Sequence, residues 1–219
     1  MKGKYSSLLE GGLAEMDLSF SSHQMQQMER YIAELELFNP VYKLVGAEGE
    51  ELVIRHIFDS LSAVGKIREL ASSYQDPSFA DLGSGAGLPG VPLAIALEDT
   101  SFALVERMER RVNFLRNALV ATELSQRVSI IPKDIKHVRQ CFDFITFRAF
   151  RPLVDILDEV APLLTEGGTV CAYKGIEEQV EGELLLVEKQ CKQKWSAELF
   201  SLSVPQLDAN RTLCVLTKI

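Results

Sequence analysis

Residues 79–95, FADLGSGAGLPGVPLAI, place Gly83, Gly85 and Gly87 straight after a short apolar run and before Leu88-Pro89-Gly90. Glycines in such a turn tolerate left-handed backbone and let the main chain approach a ligand closely, while the following helix start offers unpaired N–H groups. Pro89 suits a first helical turn, where a missing N–H costs nothing. Gly85-Ala-Gly87-Leu-Pro-Gly90 also satisfies G-x-G-x-x-G, and Glu106, at the end of the run FALVE, follows Gly85 by 21 residues. A carboxylate at that place accepts charge-assisted hydrogen bonds from both hydroxyls of a ribose. The chemistry offered is therefore capture of a nucleoside-bearing group, either NAD(P) or S-adenosylmethionine. The methyl donor is the better fit, because Asp81 at the strand end can accept from a methionine ammonium, and because the helix starts too late for a pyrophosphate cradle. Glu106 has a plainer reading as an acid complementing the dipole of the helix after it. Asp134-Ile135-Lys136 follows the next apolar run, where an adenine would rest on Ile135; a surface turn is the plain alternative.

Arg148 follows FDFITF and Lys174 follows TVCAY, so both stand at strand ends on the rim that carries the glycine turn. Arg148 is expected to contact the donor's carboxylate or the target, or else to pair with Asp143 or Asp81 as scaffold. Lys174 is expected to be a phosphate or base contact, or a solvated lysine. His56 and Asp59 share a helix face at i, i+3, as packed residues or as a lid. Tyr42, Phe147, Phe150 and Tyr173 include candidates for stacking on a flipped-out base, with core packing as the alternative for each.

The elements that must position these groups follow from periodicity. Apolar residues at Met25, Met28, Ile32, Leu35 and Phe38 predict an amphipathic helix from Ser21 to Phe38, stopped by Asn39-Pro40, and a second helix covers about 48–69. Residues 1–70 thus read as a helical extension, and the polar linker ASSYQDPS (71–78) opens a second unit, 71–219. From there β-rich runs alternate with helical ones: 78–83, 101–106, 127–132, 142–148 and 168–175 as strands, 89–97, 107–120 and 152–164 as helices. That alternation implies right-handed βαβ crossovers and a parallel sheet. After a helix at 177–191, strands 194–205 and 211–219 form an antiparallel hairpin. The fold class is α/β, with a mixed seven-stranded, Rossmann-like sheet.

The chain of 219 residues is 47% hydrophobic and 25% charged, which suits a globular domain with an appendage and excludes a mostly disordered chain. Its net charge of -8 is unevenly spread. Residues 1–78 hold 7 Lys/Arg and 12 Asp/Glu, residues 79–151 hold 10 and 8, and residues 152–219 hold 6 and 11. The only positive third is therefore the one with the glycine turn, as solvated helix faces or as a basic rim around a site for an anionic substrate. Four separated cysteines without a CxxC pair, and only three histidines, point to reduced structural thiols and no metal site. No run approaches 18 apolar residues and the first residues lack a secretory h-region, so a cytoplasmic protein without membrane attachment is expected.

HIFDSL (56–61), DLGSGAGLPGVPLAI (81–95), RVNFL (111–115), FRAF (147–150) and YKG (173–175), in that order, resemble the RsmG (GidB) family of bacterial small-subunit rRNA methyltransferases. The resemblance spans roughly 20–219. It implies a class I methyltransferase sheet with an N-terminal helical extension, and methylation of guanine N7 in the 530 loop of 16S ribosomal RNA, as free RNA, 30S particle or assembly intermediate. It further implies S-adenosylmethionine contacts at Gly83, Leu88, Glu106, Ile135, Lys136 and Arg148. The family usually has Asp at 106, Glu at 136 and Asn-Leu-Thr where Lys43-Leu44-Val45 stands here. Guanine N7 carries a lone pair and no proton, so this chemistry needs orientation rather than a general base.

Overall fold

The computed structural model describes residues 3–219. Helices α1 (Ser6–Glu15) and α2 (Ser22–Tyr42) come first. At the start of α2, Ser21 and Gln24 form a reciprocal capping box, which satisfies two otherwise orphaned N–H groups. The helix does not stop at Asn39-Pro40 as the sequence suggests. It runs on to Tyr42, with Lys43 in the left-handed region (φ 51°) donating to the Asn39 carbonyl. The proline sits in the last turn, where its missing N–H withholds one i→i−4 bond from the Glu36 carbonyl. The Asn39 amide braces the exit, accepting from Val45 N–H and donating to the Ala47 carbonyl.

The second predicted helix is also interrupted. It consists of α3 (Gly49–Leu52), a π-helical turn (Val53–Phe58), α4 (Asp59–Leu61) and, after a turn, α5 (Val64–Ala71). Ser60 Oγ bonds back to the His56 carbonyl and Ser62 Oγ to the Asp59 carbonyl, a form of side-chain competition that bends helices.

The seven-stranded sheet has the order β3-β2-β1-β4-β5-β7-β6. Strands β1 (Ser78–Leu82), β2 (Ser101–Val105), β3 (Val128–Ile131), β4 (Phe142–Arg148) and β5 (Leu164–Lys174) are parallel neighbours. Strand β7 (Arg211–Lys218) runs antiparallel between β5 and β6 (Trp195–Leu202), which is the hairpin expected at the end of the chain. Strand β5 begins four residues earlier than its expected start. Phe142 pairs with Leu164 and Phe144 with Thr169, so a bulge that includes Gly167 at φ +74° absorbs the surplus residues.

Helices α6 (Gly90–Ala96) and α7 (Glu109–Ala121) cover one face of the sheet together with the N-terminal helices. Leu9, Tyr31, Ile32, Leu35 and Phe58 lie in the same buried cluster as Phe79, Phe102 and Phe144 of the sheet. Helices α8 (Leu153–Val160) and α9 (Glu177–Gln190) cover the other face around Ile145, Phe147, Ile156 and Leu157. The strand order reverses between β1 and β4. In open parallel sheets the crevice at the carboxyl ends of the strands flanking that switch is where ligands bind. The glycine turn leaves β1 there, and Arg148 ends β4 there.

Candidate functional site

The turn after β1 is held from three sides. Gly83 N–H and Ser84 N–H both donate to the Val105 carbonyl, and Ser84 Oγ donates to the Asp81 carbonyl. Asp81 is fully buried, and its Oδ2 accepts from Gly90 N–H at 3.1 Å, tying β1 to the first residue of α6. Burial raises its pKa to about 7, against the opposing pull of Ser84, Gly90, Arg148 and Thr146. From the far side, Tyr31 of α2 donates its hydroxyl to the Ala86 carbonyl at 2.6 Å. Gly87, at φ +85°, leaves space that a Cβ would fill against Val91 at 2.7 Å and the Tyr31 hydroxyl at 3.2 Å.

Glu106 closes the turn from β2. Its side chain is 4% exposed; Oε2 accepts from Gly85 N–H at 3.0 Å and Oε1 from Met108 N–H at 2.8 Å, with Arg111 Nη1 3.6 Å away. The acid complements the chain entering α7, and each oxygen keeps a further lone pair beside a cavity. That cavity, of about 470 Å³, is lined by Gly83, Glu106, Arg111, Lys133, Ile135 and Phe150, among others. Ile135 is buried in a short 3₁₀ turn whose Asp134 side chain accepts from Lys136 N–H, and Lys136 Nζ lies 3.7 Å from Glu159.

A second cavity of about 570 Å³ adjoins the first, and Ala149, Phe150 and Arg151 line both. Arg55, Arg148, Arg151, Lys174 and Arg211 face it, against the two carboxylates Asp59 and Glu183. Neither acid is free. Asp59 receives Arg148 Nη1 on Oδ2 and Arg211 Nε on Oδ1 (2.7 Å), and Glu183 Oε2 receives Lys174 Nζ and Leu153 N–H, each at 2.7 Å. His56 Nδ1 lies 3.3 Å from Arg148 Nη2. Burial first, and the Arg148 charge second, lower the His56 pKa to about 4, so the ring is neutral at pH 7.

The structure therefore sorts the expected residues into two groups. Gly83, Glu106, Ile135 and Lys136 line the first cavity, and Gly85 is bonded to Glu106. Arg148 and Lys174 line the second. Asp81, Gly87 and Leu88 line neither; Asp81 and Gly87 instead shape the turn from behind, and Leu88 is buried in the core. The ion-pair partner of Arg148 is Asp59, not the anticipated Asp143 or Asp81; Asp143 instead accepts from Ser78 and Thr165. Among the aromatics, Phe147 is buried, Tyr173 spends its hydroxyl on the Ser60 carbonyl, and Tyr42 lies under the Arg110 guanidinium, whereas Phe150 is half-buried and borders both cavities. Arg111, Arg211 and Tyr31 were not singled out by the sequence. Arg111 carried a usable signal, five residues beyond Glu106 at the start of a helix, while Tyr31 and Arg211 meet their partners only through tertiary packing. No group of three or more His, Cys, Asp or Glu able to hold a metal occurs among the described residues, and none of their helices is long and apolar enough to cross a membrane.

Solved structures with this architecture include the tRNA methyltransferase TrmI of Aquifex aeolicus (17% identity, TM-score 0.54, covering 73% of this chain and 69% of that one). Another is an S-adenosylmethionine-dependent O-methyltransferase of Thermotoga maritima (18% identity, TM-score 0.52, covering 71% and 64%). At such identities the likeness establishes the fold, a class I methyltransferase sheet. In sequence, the chain is 33% identical to the ribosomal RNA small subunit methyltransferase G of Cupriavidus necator, over 96% of this chain and 93% of that protein. It is 31% identical to that of Haemophilus ducreyi over the full length of both. The model of the GidB family, described as rRNA small subunit methyltransferase G, matches residues 24–214. The chain belongs to the GidB family of rRNA small subunit methyltransferases.

Proposed function

We propose that the chain transfers a methyl group from S-adenosylmethionine to N7 of a guanine in the 530 loop of 16S ribosomal RNA, acting on the free RNA, the 30S particle or an assembly intermediate. The observation that carries this reading is the pair of adjoining cavities, one lined by Gly83 and Glu106, the other by five cationic side chains. The first suits an adenosyl group in size and donor set. It offers a carboxylate with spare acceptor capacity for the ribose, the apolar Ile135 for the base, and at Gly83 a main chain whose missing Cβ lets the Phe150 ring close over it. Held there by Glu106 and Ile135, S-adenosylmethionine would supply a sulfonium-activated methyl for the N7 lone pair, with the C–S bond pair left on sulfur.

The chain's own part is positional. The cationic side chains of the second cavity suit the phosphates flanking a flipped-out nucleotide, in a chain whose overall charge of -8 gives little long-range attraction to RNA. Holding N7, methyl and sulfur in line can contribute about 7–11 kcal/mol at best. A base for proton removal is not required at N7. The residues agree, since Asp59 and Glu183 are tied to cations and His56 is held neutral but pressed against Arg148.

The direct test is transfer of labelled methyl from S-adenosylmethionine to small-subunit RNA, followed by chemical cleavage at 7-methylguanosine. Label at one guanine in the 530 loop is the expected result. Label on another base, or on protein alone, overturns the reading.

A further inference from the structure

The two cavities share a wall of three residues, Ala149, Phe150 and Arg151, and a methyl group passing from one to the other must cross it. The Phe150 ring stands at this crossing. It lies so close over the Gly83 α-carbon that a Cβ built there would collide with ring atoms Cδ2 and Cε2. Ala149, immediately before it, has φ +48°, a left-handed backbone that costs a residue with a Cβ on the order of 1 kcal/mol. Strain of this kind persists where surrounding structure holds it, and it marks positions able to relax into a second arrangement. Outside the helices and strands, neither Ala149 nor Phe150 makes a backbone hydrogen bond.

We propose that Phe150 is the surface on which the target guanine stacks, and that its ring reaches that position by turning off Gly83 about Ala149, which joins the two cavities. The proposal rests on the methyl-transfer reading above. Among the described residues Phe150 is the one aromatic residue bordering both cavities, whereas Phe147 and Tyr173, which also face the second, are buried, with the Tyr173 hydroxyl held by the Ser60 carbonyl. The Arg151 guanidinium lies 5.5 Å from the centroid of the Phe150 ring, so the ring is already part of a cation–π pair that a base can extend on the cationic side of the wall. An extruded base has lost its stacking neighbours, and an aromatic face returns part of that energy without discriminating strongly among bases. Guanine selectivity is then left to polar groups of the second cavity.

The test compares Phe150→Leu, which keeps apolar volume without a π-face, and Phe150→Trp with the wild-type full-length chain. Affinity for small-subunit RNA is measured by filter binding without donor, donor affinity by calorimetry, and kcat with labelled donor. Phe150→Leu is expected to lose RNA affinity or kcat/KM by about tenfold, the scale of one base–aromatic stack, and to bind donor at least as tightly as wild type, because its side chain leaves Gly83 more readily. Phe150→Trp is expected to retain RNA affinity within about threefold, because it keeps an aromatic face for the base. An active wild type beside a Phe150→Leu chain equal to it in RNA affinity and kcat overturns the stacking role alone. A Phe150→Leu chain weakened equally for donor and RNA, and not improved on by Trp, marks a packing residue and overturns it too. A wild type that leaves guanine N7 unmethylated overturns the proposed function itself.

Discussion

Tyr31 and Ala86 lie 55 positions apart in the chain and meet through a 2.6 Å hydrogen bond from the tyrosine hydroxyl to the alanine carbonyl, inside the core. The contact joins the N-terminal helical extension to the middle of the glycine turn. Gln24 and Gln27 make the neighbouring contacts, donating to the Ile95 and Thr122 carbonyls. Helix α2 therefore clamps the turn, α6 and the end of α7 in one rigid unit.

Removing that clamp is expected to weaken donor binding selectively. Tyr31→Phe leaves a buried carbonyl unpaired, a cost of about 1–3 kcal/mol. Part of it should appear as lower thermal stability and part as a rise of up to about tenfold in the donor's Kd. Calorimetry and a melting curve on the same sample check it. An unchanged Kd with lowered stability would reduce Tyr31 to a packing residue.

Glu106→Gln preserves shape but offers one carbonyl oxygen where two carboxylate oxygens now accept from Gly85 and Met108. Charge-assisted hydrogen bonds are worth about 1.5–3 kcal/mol each, so donor affinity is expected to fall by at least tenfold. RNA affinity measured without donor should stay within about twofold of wild type, since Glu106 is buried on the donor side.

Asp59 is the counterion of two arginines drawn from distant strands, Arg148 at the end of β4 and Arg211 at the start of β7. Asp59→Asn leaves both guanidinium groups without a charge partner. The expected loss of stability is about 3 kcal/mol, the low end for breaking a buried pair because the Arg211 side chain is 30% exposed. Chemical denaturation of the single mutant reads it. A double mutant Asp59→Asn/Arg211→Gln should recover part of the loss.

Two buried groups give stability opposite dependences on pH. The His56 pKa falls from 6.5 in the unfolded chain to about 4, so its contribution is full above pH 6.5 and is lost as pH falls toward 4. The Asp81 pKa rises from 3.8 to about 7, so its contribution is full below pH 4 and is lost as pH rises toward 7. Denaturant midpoints between pH 4 and 8 should show His56→Asn removing the acid-side decline and Asp81→Asn removing the decline toward neutrality. A slope unchanged by either substitution would contradict the assigned burial.

Much of this architecture can be read locally. The alternation of β-rich runs and helical periods reports the sheet, because side chains buried on both faces of parallel strands leave continuous apolar runs such as Phe102–Val105. The glycine turn and Glu106 are legible for the same reason: their spacing is fixed by one strand–turn–helix–strand unit. Three features escape such reading. Helix α2 outruns its proline because Asn39 reaches Val45 and Ala47. Helix 48–69 breaks at a π-turn favoured by hydroxyls bonding back to carbonyls. The partner of Arg148 is Asp59, 89 residues away, and a second arginine joins from 152 residues away, separations that no periodicity encodes.

A structure of the protein co-crystallised with S-adenosylhomocysteine tests the account most directly. The account predicts both ribose hydroxyls within hydrogen-bond reach of Glu106, the adenine against Ile135, and the sulfur facing the wall at Phe150. A nucleoside found in the cationic cavity beside Arg148 and Lys174, or Glu106 still bonded only to Gly85 and Met108, would contradict it.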